Sequence, residues 1–425
     1  MNKEQPTPLS SLELLEAGEK ALEQGDSRRG FELLERASVL GVEPGLLHRL
    51  AGAFASAARF QSRQPEVLDW IERSMHGDHD PVQAAALHRA RIAVCSRLDV
   101  SRVEALVQDA LAAAERIGDN EAYASILASA SFSAYRRGDA RGASKYAEQA
   151  RDHDFEELGA RYEGLRAQMF GAVVLGDLEQ ALNLLMKARA TARELDNIAD
   201  VANESNNLSE CYLELGCPVE ARACADLAIE LAQSSGDRSR ELMARVLSAI
   251  ATAEIGRIDE ALELFPQIES TDLISSIDAA AAHSYWLLER GAAGDSESSR
   301  TIALEAIDKA ARAGISNRLT ELYCSVARSF AREAKEDDAV AALEHARQAA
   351  DRAEMRSQLL LALAVAEVLP VSNPKRKVVL NHARARILRN AQKREDPRAY
   401  CTDIRLNRRL LELSGGVPSD LPHAG

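Results

Sequence analysis

The stretch NNLSECYLELG at residues 206–216, followed by Ala221 and Ala228, decides the fold. Gly216 interrupts a run of helix-forming residues, and a glycine directly after a helix commonly takes the left-handed conformation that ends it. Ala221 and Ala228 lie five and twelve residues after Gly216, on one face of a second helix. The stretch therefore predicts a helix, a tight turn and a second helix packed closely against the first.

The same turn returns about every 39 residues, a period typical of solenoids built from stacked units. The clearest turns are Gly25-Asp26, Gly138-Asp139, Gly176-Asp177, Gly216-Cys217, Gly256-Arg257 and Gly294-Asp295, and weaker ones fall near Arg63, Val100, Ala334 and Pro374. Small residues recur five residues after the turns, at Gly30, Ala105, Ala143, Ala181, Ala221, Ala261 and Ala339. They recur again twelve residues after the turns, at Ala37, Ala112, Ala150, Ala188, Ala228, Ala306 and Ala346.

Composition favours an all-α fold. Aromatic residues make up only 4% of the chain and alanine is abundant, whereas a β-sandwich or barrel would need more β-branched and aromatic residues. We predict an all-α superhelical solenoid of about ten helix-turn-helix repeats. The repeats are expected over residues 10–395, with disordered ends at residues 1–9 and 414–425.

The pattern resembles the tetratricopeptide repeat (TPR), in a long-period variety of about 40 residues. The match is best where Leu208, Ser209, Tyr212, Gly216, Ala221 and Ala228 fill the apolar, small, aromatic, glycine and alanine positions of that family. The resemblance implies a right-handed superhelix and a function in binding. Long-period arrays of this type occur in peptide-binding scaffolds and in sensor arms of bacterial regulators.

Residues 396–413 are similar to the closing helix of TPR arrays in bacterial signalling ATPases and kinases. A solenoid requires such a cap, since its last unit would otherwise expose an apolar face. We therefore predict a C-terminal capping helix over 396–413.

Charge is distributed unevenly. The chain has a net charge of −14, which disfavours non-specific nucleic-acid binding by most of it. Residues 375–409, however, hold twelve Lys and Arg against three acidic residues. Three interpretations of this basic segment remain open: a solvated helix face, a contact with an acidic partner or with the acidic body of the array, and a contact with nucleic acid or an import signal. The segment lacks interleaved aromatics, which disfavours nucleic acid.

Localisation is predicted to be cytoplasmic. The N-terminus has no apolar signal region, and the longest apolar run, Leu359–Leu369, is too short to cross a bilayer. The six cysteines form no CxxC pair and no set with metal-ligand spacing.

Motifs for chemistry are missing from the sequence. It contains no phosphate-binding glycine loop, HExxH, nucleophile elbow or EF-hand loop. The candidate metal site is His76-Gly-Asp-His79-Asp80, for which the alternative is a turn with Asp80 as a helix cap before Pro81. Cys211 and Cys224 form either a redox pair or two buried small residues. We predict no catalytic activity, metal or cofactor.

The partner-binding residues follow from the resemblance. In the family, positions thirteen, ten, nine and six residues before the turn glycine face the concave groove. Before Gly216 these are Asn203, Asn206, Asn207 and Glu210. Asparagine in mid-helix costs a few tenths of a kcal/mol, but its amide can pair with the backbone of an extended peptide. Neighbouring units and turns add Arg166, Phe170, Phe132, Tyr135 and Arg136.

Two functions remain open. The first is a scaffold or adaptor that holds a partner peptide or helix in a central groove over residues 125–254. The alternative is a sensor that binds a signalling peptide or small molecule and transmits to a separate output protein. The sequence carries no helix-turn-helix, ATPase or kinase motif, which favours the scaffold. The oligomeric state is left open.

Overall fold

Helices account for nearly all of the ordered structure. The computed structural model describes residues 9–23, 27–61, 63–268, 273–350, 355–392, 396–419 and 421. The helices in these residues are α1 (Ser11–Glu23), α2 (Ser27–Leu40), α3 (Leu47–Gln61), α4 (Gln64–Ser74), α5 (Pro81–Leu98), α6 (Val103–Ile117), α7 (Asn120–Arg136), α8 (Ala140–Asp152), α9 (Leu158–Val174), α10 (Leu178–Glu194), α11 (Ile198–Leu215), α12 (Pro218–Ser234), α13 (Arg238–Glu254), α14 (Ile258–Leu264), α15 (Leu273–Arg290), α16 (Asp295–Ala313), α17 (Leu319–Arg332), α18 (Glu336–Ala350), α19 (Met355–Val368), α20 (Pro374–Ala391), α21 (Pro397–Thr402) and α22 (Arg405–Leu413). Helices α1–α20 form ten consecutive pairs, which confirms the predicted all-α array of about ten repeats.

The predicted turns lie between the two helices of the pairs. Gly138 and Gly176 end α7 and α9 in the left-handed conformation. Asp139 and Asp177 then cap α8 and α10 by accepting from the backbone N–H groups three residues later. Ala334 takes the same conformation, with φ 57°, at the weak turn before α18. Gly25-Asp26 lies outside the described residues.

Small residues let the two helices of a pair approach closely. Ala143 and Ala221 have no exposed surface. Their backbone carbonyls accept hydrogen bonds from Ser131 and Ser209 on the preceding helix, at 3.3 and 2.8 Å. A larger side chain at either alanine would separate the helices and break this bond. The small residue five positions after the turn therefore has a packing role.

The predicted repeat pattern is two residues out of register in the third unit. Ala105 and Ala112, predicted to face the core, are exposed. A 3₁₀ turn at Val100–Arg102 delays the start of α6. Val107 and Ala114 are buried in their place, so the equivalent of the turn glycine is Arg102 rather than Val100.

The superhelix returns on itself after five units. Helix α13 contacts α3, and α15 contacts α5. The loop before α17 reaches the end of α7, where the backbone N–H groups of Ser316 and Asn317 donate to the carbonyl of Arg136 at 3.1 and 3.2 Å. Each of these contacts joins elements five units apart. One superhelical turn therefore encircles the concave side, where the sequence predicted a groove.

The predicted closing helix is divided in two. Helix α21 ends at Thr402 and α22 begins at Arg405. Leu406, Leu410 and Leu411 of α22 join the apolar core formed with α13, α15, α19 and α20. Residues 414–419 and 421 are also described, and Val417 and Leu421 pack against the same core.

Ile404, between α21 and α22, packs against the turn after α11. A Cβ atom at Gly216 would lie 2.2 Å from Ile404 Cδ1, whereas one at Gly176 would meet nothing within 4 Å. Both glycines have positive φ, at 78° and 71°. Gly216→Ala is therefore expected to destabilise the protein by about 2–4 kcal/mol, against about 1–2 kcal/mol for Gly176→Ala. Urea unfolding would measure both.

In a chain that also carries Ile404→Ala, Gly216→Ala should lower the free energy of unfolding only as much as Gly176→Ala does in the wild type. Each loss is measured against the same chain without the glycine substitution. Equal losses in the two single glycine variants would contradict the contact between the C-terminal segment and the α11–α12 turn.

No helix of the described residues is long and apolar enough to cross a membrane.

Candidate functional site

A cavity of about 630 Å³ lies on the concave side of the superhelix. The first helices of seven consecutive units contribute to its wall, namely α3, α5, α7, α9, α11, α13 and α15. All nine residues predicted to bind a partner line it: Asn203, Asn206, Asn207, Glu210, Arg166, Phe170, Phe132, Tyr135 and Arg136. The structure thus brings the predicted residues together at one place, and their binding role stays a prediction.

The cavity extends beyond the predicted range of 125–254. His48 and Arg89 line it from α3 and α5, and Ile274 and Asp278 line it from α15. The five-unit turn brings these two ends of the wall together. The sequence analysis placed the groove in the central units alone and so did not include them.

Two of the three mid-helix asparagines hold a buried carboxylate. Glu204 has no exposed surface. It accepts hydrogen bonds from the side-chain amides of Asn203 and Asn207, at 2.7 and 3.0 Å, and from the hydroxyl of Tyr162 at 2.9 Å. Burial, and secondly the charge of Glu204, raises the pKa of Tyr162 well above its ordinary value, so that its hydroxyl stays a donor. Asn203 and Asn207 therefore have a structural role as well as a place on the cavity wall.

Asn206 differs from its neighbours. Its side-chain amide donates to the carbonyl of Arg240 at 3.1 Å. Its Oδ1 atom is buried, and no donor among the described residues reaches it. The residue is 5% exposed and lines the cavity. An unpaired buried acceptor costs about 1–3 kcal/mol, so Asn206 Oδ1 is a local cost to stability; because the atom itself is buried, it does not face the cavity as an open acceptor.

Three aromatic rings form an apolar part of the wall. Phe170 packs against Phe132 and Tyr135, with ring centroids 5.3 and 5.6 Å apart. Phe170 and Tyr135 are buried and Phe132 is partly exposed. Phe132 is therefore the ring best placed to contact an apolar ligand group.

Arginines on the wall already have carboxylate partners. Arg166 donates to Glu163 at 2.7 Å, and Arg240 pairs with Asp237. Arg136 is 4% exposed at its side chain and pairs with Asp278 at 3.2 Å. A partner carboxylate at Arg166 or Arg136 would have to displace one of these groups.

A buried ion-pair network forms the floor of the cavity. Arg318, at the start of α17, donates to Asp278 at 2.9 Å and to Glu210 at 2.7 Å, and Asp278 also accepts from Arg136. These residues lie on α7, α11, α15 and the start of α17. Below the floor, a second cavity of about 60 Å³ is lined by apolar residues of α11, α13, α15 and α19, together with Arg318 and Arg356. We call the network of Arg136, Glu210, Asp278 and Arg318 the floor network.

The floor network stabilises its central carboxylate in the charged form. Burial by itself would raise the pKa of Asp278, but the guanidinium groups of Arg136 and Arg318 more than offset this and lower the pKa below its ordinary value. A buried carboxylate with two arginine partners keeps its charge at neutral pH. Its loss would leave two buried cations uncompensated.

The candidate metal and redox sites have other roles. Asp80 accepts from the backbone of Gln83 and forms a capping box at the start of α5, as the alternative interpretation predicted. Among the described residues no group of three or more His, Cys, Asp or Glu side chains could hold a metal ion. Cys211 is buried and Cys224 partly so, and neither forms a disulfide.

Comparison with known proteins shows the fold. A Rap protein crystallised in complex with the competence and sporulation factor is similar over 80% of this chain and 99% of its own, at 15% identity and a TM-score of 0.52. NprR, crystallised with its cognate peptide NprX, is similar over 77% of this chain and 97% of its own, at 13% identity and a TM-score of 0.51. No protein-family model and no curated protein sequence matches the chain.

The fold is a TPR-like α-solenoid. The likeness covers most of this chain and nearly all of both similar proteins. The TPR resemblance inferred from residues 206–228 is confirmed at the level of the fold.

Proposed function

We propose that this chain is a non-catalytic binding protein that holds a peptide segment inside the concave cavity. The observation that carries the proposal is the cavity itself: about 630 Å³, lined by seven consecutive first helices. Its volume lies within the usual range for sites that bury a small ligand, about 300–1,000 Å³. The described residues of the wall offer amide, aromatic and charged groups to an occupant.

The chemistry of the wall favours an extended segment over a helix. A helix pairs its backbone N–H and C=O groups internally, whereas an extended peptide leaves them free. The side-chain amides and charged groups that line the cavity could pair with such free groups. Of the two partners left open by the sequence, a peptide or a helix, we therefore favour the extended peptide.

The wall supplies the groups that such a peptide needs. Asn203 and Asn207 are partly exposed and place side-chain amides on the wall. Phe132 and Met243 offer partly exposed apolar surface to a side chain. Amide contacts recognise backbone independently of sequence, while the apolar contacts select side chains.

The structural comparisons agree with this assignment. One similar structure contains the competence and sporulation factor, and the other contains a cognate peptide. At 15% and 13% identity the likeness extends to the fold alone. The two structures support the proposal because a solenoid with this fold can hold a peptide.

A peptide-responsive regulator is a second candidate, and the floor network favours it. Glu210 and Asp278 line the cavity and also pair with Arg318, which lies at the crossing of the superhelical turns. An occupant that contacts Glu210 would act on an ion pair joining units far apart in sequence. A ligand that binds two arrangements of this crossing unequally would shift their populations.

Filling the cavity tests the proposal. Ser129 is partly exposed on α7 and lines the cavity. Ser129→Trp would place a large ring in it without removing an ion pair. A short peptide selected from a displayed random library on the wild-type chain, labelled with fluorescein, serves as the probe. We expect Ser129→Trp to weaken its binding at least 100-fold, or about 2.7 kcal/mol.

The matched control is Ser298→Trp, which adds the same ring at an exposed position on α16. Its affinity should equal that of the wild type, and circular dichroism should show both variants folded. Equal affinity of Ser129→Trp and wild type for every selected peptide would place binding outside the cavity and contradict the proposal.

A further inference from the structure

Six charged side chains meet where α22 lies against the ends of α15, α17 and α19. We call this group the arginine cluster. Its members are Glu289, Arg328, Arg332, Glu367, Arg405 and Arg409. None of them lines the concave cavity, so the cluster is separate from the proposed peptide site.

The first carboxylate of the cluster, Glu289, accepts hydrogen bonds from three arginines. The side chain of Glu289 has no exposed surface. It accepts from Arg328 at 2.6 Å, from Arg405 at 3.0 Å and from Arg409 at 3.2 Å. Burial by itself would raise the pKa of Glu289, but these three guanidinium groups lower it below its ordinary value. Glu289 therefore stays charged and has three cations around it.

The second carboxylate is shared by two of the same arginines. Glu367 accepts from Arg328 at 2.7 Å and from Arg409 at 2.5 Å. Arg332 lies 4.0 Å from Glu367, beyond hydrogen-bond distance, and donates instead to the carbonyl of Leu288. Arg332 thus gains little from the carboxylates that hold its neighbours.

The cluster holds four guanidinium groups against two carboxylates. Arginine is not deprotonated in proteins, so two positive charges remain uncompensated within the cluster. Two arginines would suffice to neutralise the carboxylates, and the additional cations repel one another. Arg332, Arg405 and Arg409 are about one-third exposed, at 31, 33 and 36%. The excess charge is therefore carried by arginines that are partly accessible to solvent.

We propose that the partly exposed arginines of the arginine cluster, Arg332, Arg405 and Arg409, bind an oxyanion of the phosphate class. Guanidinium groups present planar pairs of N–H donors that match the oxygens of phosphate. Arg405 and Arg409 lie within 3.0 and 3.2 Å of the same oxygen of Glu289, which holds them side by side. A phosphate dianion would balance the two excess charges.

The electrostatic surroundings of Arg332 favour a bound anion. Its pKa is lowered by burial and secondly by the nearby charge of Arg328, which outweigh the attraction of the carboxylates. An anion beside Arg332 would stabilise its charged form and so offset the lowering of its pKa. The cluster also fixes α22 to α15 and α19, so a bound anion would stabilise the C-terminal cap against the array.

The test uses inorganic phosphate as the probe and the full chain as the protein. Isothermal titration at constant ionic strength, balanced with sodium chloride, would measure its binding to the wild type, Arg332→Gln and Arg389→Gln. Arg389 is exposed on α20, in the same basic segment but outside the cluster. We expect saturable binding to the wild type and to Arg389→Gln, and at least a tenfold loss in Arg332→Gln.

A second variant and a second probe complete the test. Arg405→Gln should lose phosphate binding in the same way, and urea unfolding confirms that each variant is folded. Tighter binding of a phosphoserine peptide than of inorganic phosphate would assign the oxyanion to a phosphorylated partner, and the reverse order to the free ion. No saturable binding of either probe by the folded wild type, or equal binding by Arg332→Gln, would overturn the proposal.

Discussion

Replacing Asp278 by asparagine is expected to lower the free energy of unfolding by about 3–5 kcal/mol, the range for breaking a buried ion pair from one side. Asp278 is 8% exposed and pairs with both Arg136 and Arg318. Asparagine keeps the size of the side chain but removes the charge, so two buried guanidinium groups lose their shared counter-ion. Urea unfolding followed by circular dichroism would measure the loss.

Asp308→Asn is the matched control. Asp308 also pairs with an arginine, Arg312, but both side chains are about 70% exposed. Exposed pairs contribute about 0–1 kcal/mol. Equal effects of the two variants would show that the floor network is not a buried determinant of stability.

The floor network also makes stability depend on pH. The folded-state pKa of Asp278 lies below its ordinary value of 3.8, because Arg136 and Arg318 outweigh the effect of burial. A carboxyl with a lowered folded pKa adds stability above its unfolded pKa and loses it as the pH falls through the folded value. Below about pH 4 the difference in stability between wild type and Asp278→Asn should therefore shrink.

Replacing Glu289 by glutamine is the second change with a large expected effect. Glu289 is the only acceptor that Arg405 has in the arginine cluster, and it also binds Arg328 and Arg409. We expect a loss of about 3–5 kcal/mol. Because two of these arginines lie on α22, amide hydrogen exchange should increase most over residues 405–413.

Glu344→Gln serves as the control for this variant. Glu344 pairs with Arg347 on α18, and both side chains are more than half exposed. A small change in stability is expected, without faster exchange in α22. If Glu289→Gln leaves the exchange of 405–413 unchanged, then the apolar contacts of Leu406 and Leu410 hold the cap without the ion pairs.

Local sequence patterns predicted most of the fold. Turn glycines, capping aspartates and small residues act within one unit, so their spacing identifies the helix pairs without any distant contact. The repeat pattern gave the wrong register where a loop changes length. In the eighth unit Gly291 and Gly294 both have positive φ, and the sequence analysis took Gly294 as the turn residue.

That choice concealed a central residue of the site. Counted from Gly291, the concave positions thirteen, ten, nine and six residues earlier are Asp278, Ala281, Ala282 and Tyr285, and all four line the second cavity. Counted from Gly294, Asp278 is missed. With the longer loop between α15 and α16 known, the sequence pattern would have identified Asp278, the central carboxylate of the floor network, as a concave residue.

The closing of one superhelical turn around the cavity could not be predicted in this way. It depends on the small rotation between successive units, which accumulates until α13 meets α3. The pairing of Arg136 with Asp278 and of Tyr162 with Glu204 has the same origin in packing between units. A periodic pattern defines which face of a helix is concave, but not which side chains that face will meet.

Methyl NMR of the full chain tests the peptide-binding cavity most directly. Met243 lines the cavity and Met186 is exposed on α10, outside it. With ¹³C-methyl methionine, a peptide selected on the wild-type chain should shift the Met243 signal and leave the Met186 signal unchanged. A peptide that binds while Met243 stays unchanged, or that shifts Met186 alone, would contradict binding inside the cavity.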